Sequence, residues 1–173
     1  FTGIRTVIST ALGIKISYNY IKTIGVNSLA GLAMSVLEEA KELKLKYIIS
    51  SIDSKRDDLF LQFFKINYMD DKSTPFFVKK DISTIKIDNL YKYIIDNKLI
   101  LKDILFVGHQ FNKAKKTIEN LKVSRNLKQE PNSLGVGQLA SYLIRNRVSI
   151  NKTVFAFDKF QPVYVRSPQI NIK

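Results

Sequence analysis

The feature that most constrains the fold of this chain is the order of its apolar runs. Some of these runs have the pattern of a strand and others that of a helix. Three runs rich in β-branched and aromatic residues lie at 47–53, at 58–66 and from 75 onward. Short runs of this composition are typical of strands. The polar stretch at 54–57 separates the first two runs, which predicts a hairpin. Together the three runs predict an antiparallel meander.

Helical and strand patterns alternate after the meander. A helix predicted from Asp88 to Asn97 is followed by a buried-strand run at 104–107 and a second helix at about 112–121. A brief strand at 121–123 and a helix that opens at Pro131 complete the order. Because crossovers between parallel strands are right-handed, this order predicts a ribonuclease-H-like fold, in which parallel crossovers extend a meander.

The beginning of the chain follows the pattern with which such a unit ends: a helix at 2–13, a strand at 21–26 and a helix at 28–44 with Ser28 as its N-cap. We therefore expect two domains. Residues 1–44 are predicted to be the remainder of an N-terminal ribonuclease-H-like lobe, and residues 45–173 a C-terminal lobe with a C-terminal tail. The predicted fold class is α/β, a duplicated ribonuclease-H-like fold of the actin-like ATPase superfamily with the first lobe incomplete.

The composition excludes several kinds of site. The absence of cysteine excludes disulfides, thiolate nucleophiles and thiolate metal sites. The single histidine, His109, excludes a site with two histidine ligands. No apolar run approaches the roughly 20 residues that span a bilayer. We expect a cytoplasmic protein.

The net charge of +13 permits two interpretations. A strongly basic chain is typical of proteins that bind nucleic acid. The lysines are scattered over the whole chain, however, and the abundance of Lys, Ile, Asn, Tyr and Phe matches the bias of an AT-rich genome. We favour this compositional explanation. An RNA-binding module of ribonuclease-H-like fold, acting through its basic surface, is the alternative.

Four short segments, in order along the chain, resemble the motifs of one known family. Phe1-Thr2-Gly3-Ile4-Arg5 resembles the end of Gly-Pro-Gly-Ser-Phe-Thr-Gly-Ile/Val-Arg, and Val26-Asn27-Ser28-Leu29 resembles Val-Ser-Ser-Leu. The segment 52–60 is similar to the hairpin Ile-Asp-Ala-Arg-Arg-Gly-Glu-Val-Tyr. Pro162-Val163-Tyr164-Val165-Arg166 is similar to Pro-Val-Tyr-Leu-Arg. These motifs are those of the TsaB family, also known as YeaZ.

The chain also departs from the motifs of that family. Lys55 stands where the family has an arginine, and Asp57 stands where a glycine is usual. We expect a positive φ at Asp57, since Asp tolerates that conformation better than most residues. The first strands of the family, its first helix and its Gly-Pro-Gly-Ser turn have no counterpart, so the resemblance implies an N-terminally truncated member.

The resemblance implies a non-catalytic scaffold in the modification of tRNA to threonylcarbamoyladenosine, beside the anticodon. In that family TsaD carries the catalytic metal, TsaB pairs with TsaD through helices of its first lobe, and the ATPase TsaE joins the complex. We therefore expect TsaD and TsaE as partners, and contact with tRNA only through the complex. We also expect no cofactor, no metal and no membrane, with a homodimer allowed when the chain is alone.

The first helix is the main candidate for a binding site. Its apolar stripe fits a protein core as well as an interface, but its small residues would let a partner helix approach closely. The predicted TsaD-type interface consists of Phe1, Thr2, Arg5, Ile8, Ala11 and Leu12. The other motif positions are expected to be structural, namely Asp53, Lys55, Asp58, Tyr164 and Arg166.

A third hypothesis is an enzyme, either a sugar-kinase-like phosphotransferase or a glycoprotease. Asp53 would be a metal-binding carboxylate, although Mg²⁺ chemistry usually needs two or more converging carboxylates. His109 follows a buried strand and a glycine, where loops carry function, but a structural or solvated role is favoured. The segment 135–137, Gly-Val-Gly, lacks the Lys-Ser/Thr of a phosphate loop, which favours helix breathing or close helix packing.

The truncated first lobe leads to an expectation about exposure. The helices at 2–13 and 28–44 would lack the strands against which they pack. Partly exposed apolar side chains are therefore expected at Ile4, Val7, Ile8, Leu12 and Leu32. Residues 45–173 are expected to form the stable unit.

Overall fold

The secondary structure follows the predicted order closely. The computed structural model describes residues 2–68, 74–125, 129–148, 156–157 and 165. The strands are β1 (Gly25–Val26), β2 (Tyr47–Asp53), β3 (Leu59–Ile66), β4 (Phe76–Ile85), β5 (Ile104–Gly108), β6 (Lys122–Val123) and β7 (Ala156–Phe157). The helices are α1 (Thr2–Ser17), α2 (Ser28–Met34), α3 (Leu37–Glu42), α4 (Leu90–Asp96), α5 (Phe111–Thr117) and α6 (Ser133–Arg145), with short 3₁₀ helices at Ile87–Asn89 and Leu101–Asp103. Within the described ranges, none of the helices is long and apolar enough to cross a membrane.

A five-stranded mixed sheet joins these elements in the order β4-β3-β2-β5-β6. Strands β2, β3 and β4 pair antiparallel, as a meander does. Strand β5 pairs parallel to β2, and β6 pairs parallel to β5. The ribonuclease-H-like order predicted from the sequence is therefore confirmed for this sheet. Strands β1 and β7 form a separate antiparallel pair.

The sheet is buried on both faces, and because successive side chains of a strand point to opposite sides, neighbouring residues belong to different cores. Ile48 belongs to a first core and its neighbour Ile49 to a second core. In β3, Phe64 belongs to the first core and Phe63 to the second core. Helices α2, α3 and α6 contribute to the first core, whereas α4 and α5 contribute to the second. Helices therefore cover both faces of the sheet.

Helices α2 and α6 approach each other closely at two glycines. A Cβ atom added to Gly135 would lie 2.2 Å from the carbonyl oxygen of Gly31. A Cβ atom added to Gly31 would lie 2.8 Å from the side chain of Val136. Asn132 caps α6, its side-chain oxygen accepting a hydrogen bond from the backbone N–H of Gly135 at 2.9 Å. Close helix packing thus explains Gly135, whereas nothing lies within 4 Å of a Cβ at Gly137.

The region 28–44 differs from its prediction in three respects. The single predicted helix is divided into α2 and α3, and Val36 between them has φ −121°. The N-cap of α2 is Asn27, whose side chain accepts from the N–H of Leu29 at 2.8 Å, and not Ser28. The predicted exposure of Leu32 is wrong, since Leu32 is fully buried where α2 packs in the first core.

The helices α2 and α3 share the first core with the sheet. Leu29, Leu37 and Ala40 lie in the same cluster as Leu105 and Leu139. Residues on both sides of the predicted boundary at 44/45 therefore pack together, and the boundary itself stays a prediction.

The glycine contact leads to a stability prediction. We expect Gly135→Ala to lower the free energy of unfolding by roughly 1–3 kcal/mol, because the added methyl group forces α6 away from α2. Gly137→Ala is the matched control in the same helix. It meets open space and should raise the free energy of unfolding by about 0.5–1 kcal/mol through helix propensity. Urea unfolding measures both, and equal stability of the two variants would contradict the packing.

Candidate functional site

Helix α1 presents apolar side chains to solvent along most of its length. Val7 is 69% exposed and Ile16 is 81% exposed. Ile4, Leu12 and Ile14 are exposed as well. Among the described residues, neither core includes a member of α1. The exposure predicted at Ile4, Val7 and Leu12 from the incomplete first lobe is confirmed, and a row of apolar side chains of this kind can also serve as an interaction surface.

The apolar surface continues beyond the end of the helix. The backbone N–H of Tyr18 donates to the carbonyl of Ile14 at 2.9 Å, which extends the last turn of α1. The rings of Tyr18 and Tyr20 meet edge to face with centroids 6.0 Å apart, and both side chains are exposed. We call the exposed side chains of this region the α1 surface, which consists of Ile4, Val7, Leu12, Ile14, Ile16, Tyr18 and Tyr20.

The structure describes four of the six predicted interface side chains. Arg5 and Leu12 are exposed. Ile8 and Ala11, three residues apart on one side of the helix, are half-buried. Thr2 begins α1, but its side chain lies outside the description, as do Phe1, Tyr164 and Arg166. The role of the six interface residues in binding a partner stays a prediction, as does the structural role of Tyr164 and Arg166.

The motif residues of the β2–β3 hairpin contact one another. Asp53 accepts a hydrogen bond from the backbone N–H of Lys55 at 2.8 Å, and its other carboxylate oxygen lies 3.6 Å from the Lys55 ammonium group. The hydroxyl of Ser54 donates to the carboxylate of Asp58. Lys55 has the left-handed φ of +61°, so the prediction of a positive φ at Asp57 was wrong. The side chain of Asp53 closes an Asx-turn on the N–H of Lys55, and the left-handed residue therefore lies two positions before Asp57.

A pocket lies at the carboxyl ends of β5 and β6. Gly108 has φ +118°, and a Cβ atom there would lie 2.0 Å from the carbonyl oxygen of Ser51, so only glycine fits. The N–H of His109 donates to that carbonyl at 3.1 Å, and the hydroxyl of Ser51 donates to the carbonyl of His109 at 2.9 Å. The chain then turns through Gln110, whose φ is +58°. These contacts fix His109 at the carboxyl end of β5, where it lines the pocket.

The second wall of the pocket follows β6. Gln129 is almost fully buried and accepts from the N–H of Gly108 at 2.8 Å, while its amide donates to the carbonyl of Ser124 at 3.2 Å. This side chain joins the segment after β6 to the end of β5. Between the walls lies a cavity of about 560 Å³, lined by residues 109–111 and 129–132. In the described part of the chain, no group of three or more His, Asp or Glu residues has a metal-binding arrangement.

The pocket was not predicted from the sequence. The position of His109 after a buried strand and a glycine indicates a loop that can carry function, but the sequence favours a structural or solvated role for it. For the second wall, the sequence offers only Pro131-Asn132-Ser133, which indicates the start of a helix. Parallel pairing of β5 with β6 brings the two segments together.

The arrangement of sheet and helices is that of a mixed α/β protein with the ribonuclease-H-like strand order. No model of a protein family matches the chain, and no curated protein sequence matches it. A crystal structure of an uncharacterized protein with similarity to peptidase YeaZ from Pseudomonas aeruginosa is similar to it, with a TM-score of 0.64 and 15% identity over 96% of this chain and 68% of that one. YeaZ from Pseudomonas aeruginosa is similar too, with a TM-score of 0.63 and 15% identity over 95% and 69% of the two chains. The fold is YeaZ-like.

The contrast between α1 and α2 can be tested by stability. We expect Leu32→Ala to lower the free energy of unfolding by roughly 2–5 kcal/mol, because Leu32 is fully buried in the first core. Val7→Ala should change it by no more than about 0.5 kcal/mol, because Val7 is 69% exposed. Urea unfolding gives both values. A loss at Val7 as large as that at Leu32 would mean that α1 is part of a core.

Proposed function

We propose that this chain is a non-catalytic partner subunit in the modification of tRNA to threonylcarbamoyladenosine. It pairs with a TsaD-type subunit and supports a TsaE-type ATPase, and it meets tRNA only through the complex. The observation that carries the proposal is the exposed apolar α1 surface on a YeaZ-like fold. The cytoplasm is the compartment that this role implies.

The α1 surface fits a helical partner. Helices pack by setting rows of side chains into the grooves of a neighbour, and α1 offers such rows over a helix of 16 residues. Gly3 and Gly13 have nothing within 4 Å of a Cβ position, so a partner can approach the backbone at these points. Each aliphatic side chain that becomes buried contributes about 1.5–3 kcal/mol, part of which offsets the entropy of association.

The charge of α1 indicates what should surround the apolar contact. The helix carries Arg5 and Lys15 and no acidic residue. A partner with an apolar groove and acidic residues at its rim would match it, because complementary charges speed association and select the partner. In the absence of such a partner, a second copy covers the same surface, which is the homodimer expected of the isolated chain.

The non-catalytic assignment is supported by the hairpin that follows β2. Both carboxylate oxygens of Asp53 contact Lys55 of the same turn. A catalytic carboxylate at this edge of the sheet would instead need a neighbouring carboxylate to share a metal ion. The likeness in fold does not favour the RNA-binding alternative, which rests on the net charge alone.

The interface can be tested with charged substitutions. The double variant Ile4→Glu, Val7→Glu should weaken binding to TsaD of the same organism by roughly a hundredfold or more, since it places two charges in an apolar contact. Ile95→Glu is the matched control, because Ile95 is an apolar residue on α4 that is 50% exposed. It should bind like the unchanged chain. Calorimetric titration gives the affinities, and thermal unfolding checks that both variants are folded.

Two outcomes would contradict the proposal. Absence of measurable binding between the unchanged chain and TsaD would contradict the proposed pairing. Equal losses in the α1 variant and the α4 control would place the interface elsewhere.

A further inference from the structure

Helix α6 turns one uncovered apolar face toward solvent. Its opposite side packs in the first core through Leu139 and Leu143. The outward side carries Leu134, which is 67% exposed, and Ile144, which is 61% exposed. These two residues lie close to three helical turns apart, so their side chains share one face of the helix. Two large apolar side chains are therefore left in water at the two ends of α6.

Small residues lie between these two side chains on the same face. Gly137 and Ser141 follow Leu134 at helical spacing. Gly137 is exposed, and nothing lies within 4 Å of a Cβ atom at this position. A glycine inside a helix lowers its stability, and no contact in the described part of the chain accounts for this one. A neighbouring helix can approach α6 closely here.

The spacing of these four residues is symmetric about Leu139. Leu134 and Ile144 lie at equal distances along the chain to either side of it. Gly137 and Ser141 do so as well, closer to the centre. In an antiparallel pair of α6 helices with a two-fold axis at this level, each large apolar side chain meets a large one of the second copy, and each small residue meets a small one. A two-fold interface requires a self-complementary surface of this kind.

The charge of α6 favours a second copy of this chain as the occupant. Copies of a chain with a net charge of +13 repel each other over most of their surface. The face of α6 is different, because Arg145 in the last turn is the one charged residue of this helix. In an antiparallel pair, Arg145 comes beside the start of the other α6, which Glu130 precedes with a side chain that is 76% exposed. Opposite charges at the rim support this pairing.

We propose that α6 is a self-association surface, through which two copies of this chain form an antiparallel helix pair. A single helix of 13 residues per copy provides less contact area than a standard interface. The dimer is therefore weak, with a dissociation constant on the order of 10–100 μM. The inference goes beyond the proposed function and does not depend on it, since it uses α6 rather than α1.

Sedimentation equilibrium of the full chain measures this association. The double variant Ile4→Glu, Val7→Glu is the starting point, because it removes any dimer that forms through α1. We expect this variant to dimerise still. Adding Leu134→Glu should weaken the dimer at least tenfold, because it places a charge against Ile144 of the second copy. Adding Ile95→Glu instead, at an exposed apolar residue of α4, is the matched control and should leave the dimer unchanged.

A further substitution tests the antiparallel arrangement. Ile144→Lys, added to Leu134→Glu, sets opposite charges against each other in an antiparallel pair, whereas a parallel pair would bring like charges together. We expect the affinity to recover about fivefold or more. An acid in the first turn and a base in the last turn also suit the helix dipole, so the helix should persist. Thermal unfolding checks that all variants are folded.

Three results would overturn the proposal. The first is a starting variant that stays monomeric up to roughly 1 mM, well above the expected dissociation constant. The second is an equal dimer affinity with and without Leu134→Glu. The third is the absence of any recovery when Ile144→Lys is added.

Discussion

The pairing of β2 with β3 on one edge and with β5 on the other holds the fold together. It joins the meander to the crossovers, so the same strand supports both cores through Ile48 and Ile49. At the start of β2, Lys46 donates to the carboxylate of Asp103 at 2.8 Å. This hydrogen bond, together with the negative charge of Asp103, raises the pKa of Lys46 above its ordinary value. At the other end, Ser51 holds His109. Both ends of the parallel pair are therefore tied by side chains as well as by the ladder.

Much of this architecture follows from the apolar pattern of the sequence, because strands and helices have different periods and the order of elements restricts the topology. The details that escaped prediction depend on tertiary contacts. Val36 interrupts the helix predicted at 28–44, and its side chain is buried. Leu32 is buried because α2 packs against α6 in the first core, a contact between segments about a hundred residues apart. No local pattern reports such a contact.

The α1 surface and the pocket also differ in how far the sequence predicts them. The periodicity of α1 predicts an apolar stripe, but a stripe that faces a core and one that faces a partner have the same spacing. The incomplete first lobe leads to the expectation that Val7 is partly exposed, and the three-dimensional structure shows that both Val7 and Ile16 are exposed. The pocket has no periodic signal at all, since its walls come from two loops that Gln129 connects. Hydrogen bonds between distant loops are invisible to a pattern of single residues.

The distribution of burial gives the two surfaces different physical characters. The pocket is built on the ends of paired strands, and its walls are held by a buried amide and by a glycine that no other residue can replace. Its geometry is therefore preorganised, which is what a small ligand needs. The α1 surface lies outside both cores in the described part of the chain. Because its apolar side chains contribute little to folding while they face water, most of their hydrophobic free energy is still available for association. The walls of the pocket are thus held by the sheet, whereas the α1 surface is left exposed by it.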